Sequence, residues 1–212
     1  MTVVVIGDDT GRDFAGTEDT ELLSAFPTTN LQSEAAVQSP FLLRFDLSPI
    51  VGSNTVSDSK LSLKTSSGSG GSGTITAKNV LVTWVVSQAT WNDRITSTGW
   101  TTAGCQSDGN DRTAAASASL SYPGGFNTDR MVSASNSGLI TNVQGVVDGG
   151  ANNGHLLEFS VPGSLSSEQG SDGDRPYIEV TYTASGGGDP EGRLVGGKLM
   201  RGGFLTGGVL VG

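Results

Sequence analysis

One histidine and one cysteine bound the chemistry open to this chain of 212 residues. His155 by itself cannot supply the several imidazoles of most zinc centres, and acid–base schemes built on histidine have a single residue to draw on. It heads an apolar alternating stretch and reads as structural. Cys105 excludes an intramolecular disulfide framework and a multi-cysteine zinc site, and this lone thiol reads as a small, inert wall residue. Paired carboxylates can hydrolyse or eliminate across glycosidic bonds. Asp108, Asp111, Asp172 and Asp174 are available for that, yet each stands in a sequence that reads as a solvated turn. Asp8, Asp9, Asp13, Glu18 and Asp19 could hold calcium if their oxygens converged, but their spacing does not match an ordered calcium loop. A solvated acidic loop is therefore expected there, with no cofactor; a structural calcium is the alternative. The sequence has no Gly-rich phosphate loop, Ser-His-Asp set or His–carboxylate metal motif, and the chain reads as non-enzymatic.

Binding is the remaining class of chemistry. Residues 96–130 form a long insertion poor in apolar periodicity and expected on the surface, where ordered loops of a rigid scaffold tend to carry binding. Trp100, Tyr122 and Phe126 are its candidate ligand-binding aromatics, suited to stacking on a sugar or packing on a neighbour. The formal charge of −9, with twelve scattered basic residues, argues against a nucleic-acid partner, since such affinity rests on clustered Lys and Arg at phosphates. An acidic balance fits a particle surface or a secreted domain, where like charge keeps copies apart. The start, MTVVVIGDDTG, reads as a strand and turn rather than a secretory signal, and no apolar run approaches the roughly 20 residues needed to insert in a membrane.

The elements that must carry these residues follow a period of two. Phe41, Leu43, Phe45 and Leu47 alternate with Leu42, Arg44 and Asp46, and Leu61 and Leu63 alternate with Lys60, Ser62 and Lys64. The twelve residues between them are too many for a tight hairpin, so the two strands are expected to be joined by an arch that tucks Ile50 and Val56 under the sheet end. Strands are also expected over residues 2–6, 74–86, 155–159 and 176–183, with a weak segment at 31–37. The 74–86 run changes phase near Lys78 and Asn79, as a bulge would make it. Val80, Val82 and Trp84 then share a face, with Trp84 a core residue. TSSGSGGSG after Leu63 reads as a loop within one sandwich. Leu139, Val143, Val146 and Val147 form the stripe of one short helix, weakened by Gly145. The pattern predicts an all-β fold, a two-sheet antiparallel β-sandwich spanning residues 1–184, followed by a Gly-rich C-terminal arm at 185–212.

Several stretches together resemble the DNRLRE domain, a β-sandwich family that overlaps with one class of carbohydrate-binding modules. They are LLRFDLS at 42–48, SKLSL at 59–63, Trp84 followed by ATWN at 89–92, NNGHLL at 152–157, SSE at 166–168 and RPYIEVTY at 175–182. They occur in the family's order. The resemblance implies a jelly-roll sandwich of the kind carried by extracellular polysaccharide-degrading enzymes, cell-surface proteins and phage particles. The chain departs from the pattern at the short helix: Gly138-Leu139-Ile140 and Val146 stand where the family has an Asp-Val-Thr start and a tryptophan. That removes apolar bulk and any ligand contact the tryptophan made. Arg44 and Glu168 both belong to family-like motifs, which motivates a structural ion pair between them.

The arm, RLVGGKLMRGGFLTGGVLVG, sets Leu194, Leu199, Phe204, Leu205 and Leu210 between Gly-Gly pairs. Apolar residues in this setting are costly to leave in water, and the repeats are too short for a core of their own. They are expected to pair with another subunit, and they are similar to the Gly-Gly-Leu repeats of phage structural proteins. The expected function is thus a non-enzymatic virion protein, a capsid-decorating or tail-associated subunit assembled in the host cytoplasm, serving host-surface adhesion or particle stabilisation. Its expected partners are other virion proteins, further copies of itself in a homo-oligomer such as a trimer, and a cell-surface polysaccharide. The alternative is an extracellular carbohydrate-binding module of a secreted polysaccharide-degrading enzyme.

Overall fold

Two antiparallel sheets face each other across an apolar interior. The computed structural model describes residues 1–7, 13, 15–22, 27–28, 40–65, 72–122, 130–160 and 175–185. Its strands are β1 (Thr2–Ile6), β2 (Thr17–Leu22), β3 (Pro27–Thr28), β4 (Phe41–Phe45), β5 (Asn54–Thr65) and β6 (Gly73–Asn79). They continue with β7 (Asp93–Ile95), β8 (Thr98–Gly99), β9 (Ala118–Tyr122), β10 (Arg130–Ser135), β11 (His155–Phe159) and β12 (Tyr177–Ala184). One sheet has the order β1-β12-β5-β10, the other β3-β2-β4-β11-β6-β9, and β7 with β8 makes a small hairpin of its own. Neighbouring strands in both sheets run antiparallel. The fold is an all-β sandwich.

The period of two places one set of side chains between the sheets. Phe41, Leu43 and Phe45 of β4 meet Leu157 and Phe159 of β11, Ile75 and Ala77 of β6, and, from the facing sheet, Ile6, Leu61, Leu63, Ile178 and Val180. Phe41 and Phe159 pack edge to face with ring centroids 5.2 Å apart, the arrangement favoured by the ring quadrupoles. The arch between β4 and β5 crosses from one sheet to the other through a turn of 3₁₀ helix at Ser48–Ile50 and buries Ile50; Val56, also buried, already belongs to β5.

Helix α1 (Ser137–Val147) closes this end of the sandwich with Leu139, Val143, Val146 and Val147 turned inward. The Asn136 side chain accepts the Leu139 N–H at 2.9 Å and starts the helix. Gly149, at φ +94°, ends it. Gln144 fastens the helix to β5: its side-chain oxygen accepts the Val56 N–H at 2.7 Å and its amide donates to the Asn54 carbonyl at 3.0 Å. Gly145 has open space around its Cα, so the helix loses only propensity there.

Two sequence expectations about elements are corrected. The phase change near Asn79 is an exit and not a bulge: β6 ends at Asn79, and Val80 leaves the sheet to bridge Arg112. The acidic stretch is not simply a solvated loop, because Glu18 and Asp19 belong to β2, and Asp19 is buried. Adjacent strand residues point to opposite faces, so these two carboxylates cannot share one ion. Asp8 and Asp9, the weak segment at 31–37, and the arm from 186 onward lie outside the described residues.

Candidate functional site

Three leucines on the outer face of the six-stranded sheet begin the site. Leu42 of β4 stands opposite Leu156 of β11, with Leu22 of β2 beside them, all turned away from the sandwich interior. Left open to water these side chains would cost free energy in proportion to their area. Residues 80–113 instead form a roof over them, burying Val80, Trp84, Ala89, Trp100 and Cys105 in a second apolar cluster. Val82, Val86 and Trp91 pack against its margin. The chain enters and leaves the roof at neighbouring points, through Val80 N–H to the Gly154 carbonyl at 3.0 Å and Thr113 N–H to the Asn79 carbonyl at 2.9 Å.

Trp84 is the roof's anchor. It is fully buried, as predicted, and its indole N–H donates to the Asn153 carbonyl at 2.7 Å. The guanidinium of Arg44 lies 4.6 Å from its ring centre, within the range of a cation–π contact. Arg44 also bonds Glu18, the residue opposite it on β2, through Nε at 2.8 Å and through Nη2. The carboxylate seen on Arg44 is thus that of Glu18; Glu168, its expected partner, lies outside the described residues.

Trp100 corrects the ligand-binding expectation. It is 7% exposed, and its indole N–H donates to the Thr90 carbonyl at 2.9 Å, so neither ring face is offered to a sugar. The part of the insertion up to Thr113 belongs to the layer packed over the sheet, with Trp100 and Cys105 in its apolar cluster. Tyr122 ends β9, and Phe126 lies outside the described residues. Trp91 lies against Gly104, where a Cβ would fall 2.5 Å from the ring; a glycine at φ +76° is what lets the two come together.

Polar groups knit the roof internally. Asp111, expected in a solvated turn, is 1% exposed. Its carboxylate accepts the N–H groups of Thr101 and Thr102 at 2.9 Å each and of Ser107 at 3.3 Å. Burial alone would raise the Asp111 pKa, but those donors outweigh it and hold the carboxyl below its usual range. Next to it, Arg112 bonds Asp108 through Nε at 3.0 Å and Glu158 of β11 through Nη1, and Lys78 of β6 lies 3.6 Å from Asp108 and 3.5 Å from Glu158. Although burial opposes its charge, Glu158 and Asp108 raise the Arg112 pKa above the usual arginine value. This cluster ties the far edge of the roof to two strands.

Asp111→Asn is expected to destabilise the protein by about 2 kcal/mol, because an amide NH₂ would replace one oxygen that faces backbone donors. Chemical denaturation reads that loss directly. A variant as stable as the original would mean the three donors are satisfied without the carboxylate.

The two nucleophilic or basic side chains are walled in. Burial, followed by the Asp111 carboxylate, pushes the Cys105 thiol up to about 12, and its S–H points to the Asp111 carbonyl at 3.7 Å. That fits an inert wall residue. His155 heads β11, is 3% exposed, and is held down to about 4 by burial. Its Nδ1 lies 3.3 Å from Ser117 Oγ, which donates to the Ala77 carbonyl at 2.9 Å and so can accept from an Nδ1–H. Asp172 and Asp174 lie outside the described residues, and among the described residues no three His, Cys, Asp or Glu side chains converge on a point where a metal could sit.

Sequence reasoning missed the roof. The signal was present in FLLRF and HLLEF, two strands that carry a leucine on the face that also bears Arg44 or Glu158. An apolar residue on a nominally polar face calls for a cover. No protein-family model matches the chain, and no curated protein matches it.

Proposed function

We propose that this chain is a non-enzymatic structural subunit of a phage particle, capsid-decorating or tail-associated, whose sandwich serves host-surface adhesion or particle stabilisation. The observation that carries this reading is how the roof's polar side chains are used. Arg112, Lys78, Asp108 and Glu158 pair with one another, and Asp111 with backbone, so the groups best suited to chemistry hold a layer in place. Such a sandwich is a rigid platform for display. Support also comes from the formal charge of −9, which keeps free copies apart before assembly, and from Leu194, Leu199, Phe204, Leu205 and Leu210, whose setting between glycine pairs suits contact with another chain. The resemblance to DNRLRE sandwiches, carried by phage particles among others, points the same way.

Deleting residues 193–212 is expected to turn a homo-oligomer into single chains by light scattering and to abolish docking onto particles. A truncated chain that assembles like the full one would exclude the arm. The shared stretches LLRFDLS, ATWN and RPYIEVTY favour a second reading, an extracellular carbohydrate-binding module. Retardation of the protein in gels containing cell-surface polysaccharide would support adhesion or the module. Only the module predicts that retardation from a chain that stays single.

A further inference from the structure

Among the described residues, strand β1 is the outer strand of the four-stranded sheet. Thr2, Val4 and Ile6 stand opposite Tyr182, Val180 and Ile178 of β12. Along an antiparallel ladder the residues between hydrogen-bonded pairs aim their N–H and C=O the other way. Val5 identifies which residues these are, because its N–H donates to the Asp13 carboxylate at 2.7 Å and its C=O accepts the Asp13 N–H at 2.9 Å. Asp13 thus plugs the edge at Val5. Two residues earlier, the outward N–H and C=O of Val3 meet no partner among the described residues, its side chain is 54% exposed and Met1 is 89% exposed. An uncovered apolar edge is a template for another strand.

The last described residue shows where the arm departs. Ala184 pairs with Asn54 on β5, and the Ser185 N–H donates to the Ser53 carbonyl at 2.9 Å. At Ser185 the chain is still laddered to β5, and β1 stands between β12 and the outer edge. To reach its own β1 edge the arm would have to turn back across the sheet end, and would then run parallel to β1, the weaker pairing. A second molecule has no such constraint. The open edge is about as long as the apolar units of the arm, each a few residues held between glycine pairs. After Glu191 the arm carries Arg193, Lys198 and Arg201 with no acid, which complements a chain of formal charge −9.

We propose that the free edge of β1 receives the C-terminal arm of a second copy of this chain, which adds to the four-stranded sheet as an extra strand with an apolar unit packed on Val3. The inference rests on the assembly reading above and names the arm's acceptor. Main-chain hydrogen bonds at Val3 hold the arm, and the glycine pairs let it lie flat against the edge. Head-to-tail exchange of this kind closes into a ring where the rotation allows it, which accommodates a trimer.

The test uses full-length chains and multi-angle light scattering. Val3→Pro removes only the outward donor, since edge strands tolerate proline there, and Val3→Lys sets a like charge before the basic arm. Both are expected to fall to the mass of one chain while keeping the far-ultraviolet dichroism of the parent. A chain with Leu194, Leu199, Leu205 and Leu210 changed to Asp is also expected to be single. Mixed with Val3→Pro, which retains a sound arm, it should form a complex through its own intact edge. Complementation is the decisive result, because two chains that had merely misfolded would not restore each other. If the arm variant is single and both Val3 variants assemble normally, the arm docks elsewhere and this inference fails while the assembly reading stands. A parent chain that is single at every concentration overturns both.

Discussion

Gly154→Ala is expected to cost the protein about 2 to 5 kcal/mol, adding the strain of a left-handed residue to that of an overpacked contact. Gly154 has φ +68°, and a Cβ there would fall 2.3 Å from the Leu43 carbonyl oxygen and 2.8 Å from Arg44 Cβ. The nearest of these atoms belongs to backbone and cannot swing aside. The clash also lies at a junction, since the Gly154 carbonyl accepts the Val80 N–H where the roof begins and His155, the next residue, starts β11. Relief would have to separate β11 from β4 or lift the roof. Gly149→Ala is the matched control: its φ of +94° is equally foreign to alanine, but nothing lies within 4 Å of its Cβ position. It should cost only about 1 kcal/mol, the conformational part alone. Urea denaturation of the two variants separates strain from space. Equal losses would show that the close approach of Gly154 to β4 has no energetic weight.

Acid is expected to weaken the fold through His155 before most carboxylates titrate. Burial lowers its pKa from 6.5 to about 4 in the folded chain, so between these values the unfolded state binds a proton that the folded state does not. Stability is complete above pH 6.5 and falls as the pH drops toward 4. A shift of that size corresponds to about 3 kcal/mol at the bottom of the window. The ring is 3% exposed and meets the Ser117 hydroxyl, which can accept from one imidazole N–H but carries no charge. His155→Gln removes the titration while keeping an amide able to reach that hydroxyl. Its stability should therefore decline less than the parent's from pH 7 to pH 4, with the two curves running parallel only above 6.5. Parallel curves throughout would mean that the imidazole is hydrated when charged and the burial is not felt.

The two predictions concern residues of quite different legibility. Gly154 stood in a turn-like string, DGGANNG, where either of two other glycines could have been the necessary one. Its importance comes from the β4 backbone lying 2.3 Å from its missing side chain, a distance between residues 111 apart in the chain. His155 was readable as structural from its place at the head of an alternating strand. Its depressed pKa was not, because that depends on layers packed around it from distant segments.

Alternation by itself determined the sandwich. Leu61 and Leu63, Phe41 to Phe45 by twos, and Ile178 and Val180 can be buried together only as facing strands, and the 3.6-residue stripe from Leu139 to Val147 can be buried only as a helix. These are local periodicities, fixed by backbone geometry, and they survive any rearrangement of partners. The tertiary structure alone decided what lies outside the sheet. Leu42 and Leu156 come into register only when β4 and β11 pair, and the patch they make with Leu22 is what draws Trp84, Trp100 and Cys105 inward. Trp100 in a polar insertion looks like a platform for ligand; within the roof it is part of a second core. The same holds for Asp111, whose carboxylate meets three N–H donors that no spacing rule brings together. Burial is a property of neighbours, and neighbours from separate segments are chosen only when the whole chain folds.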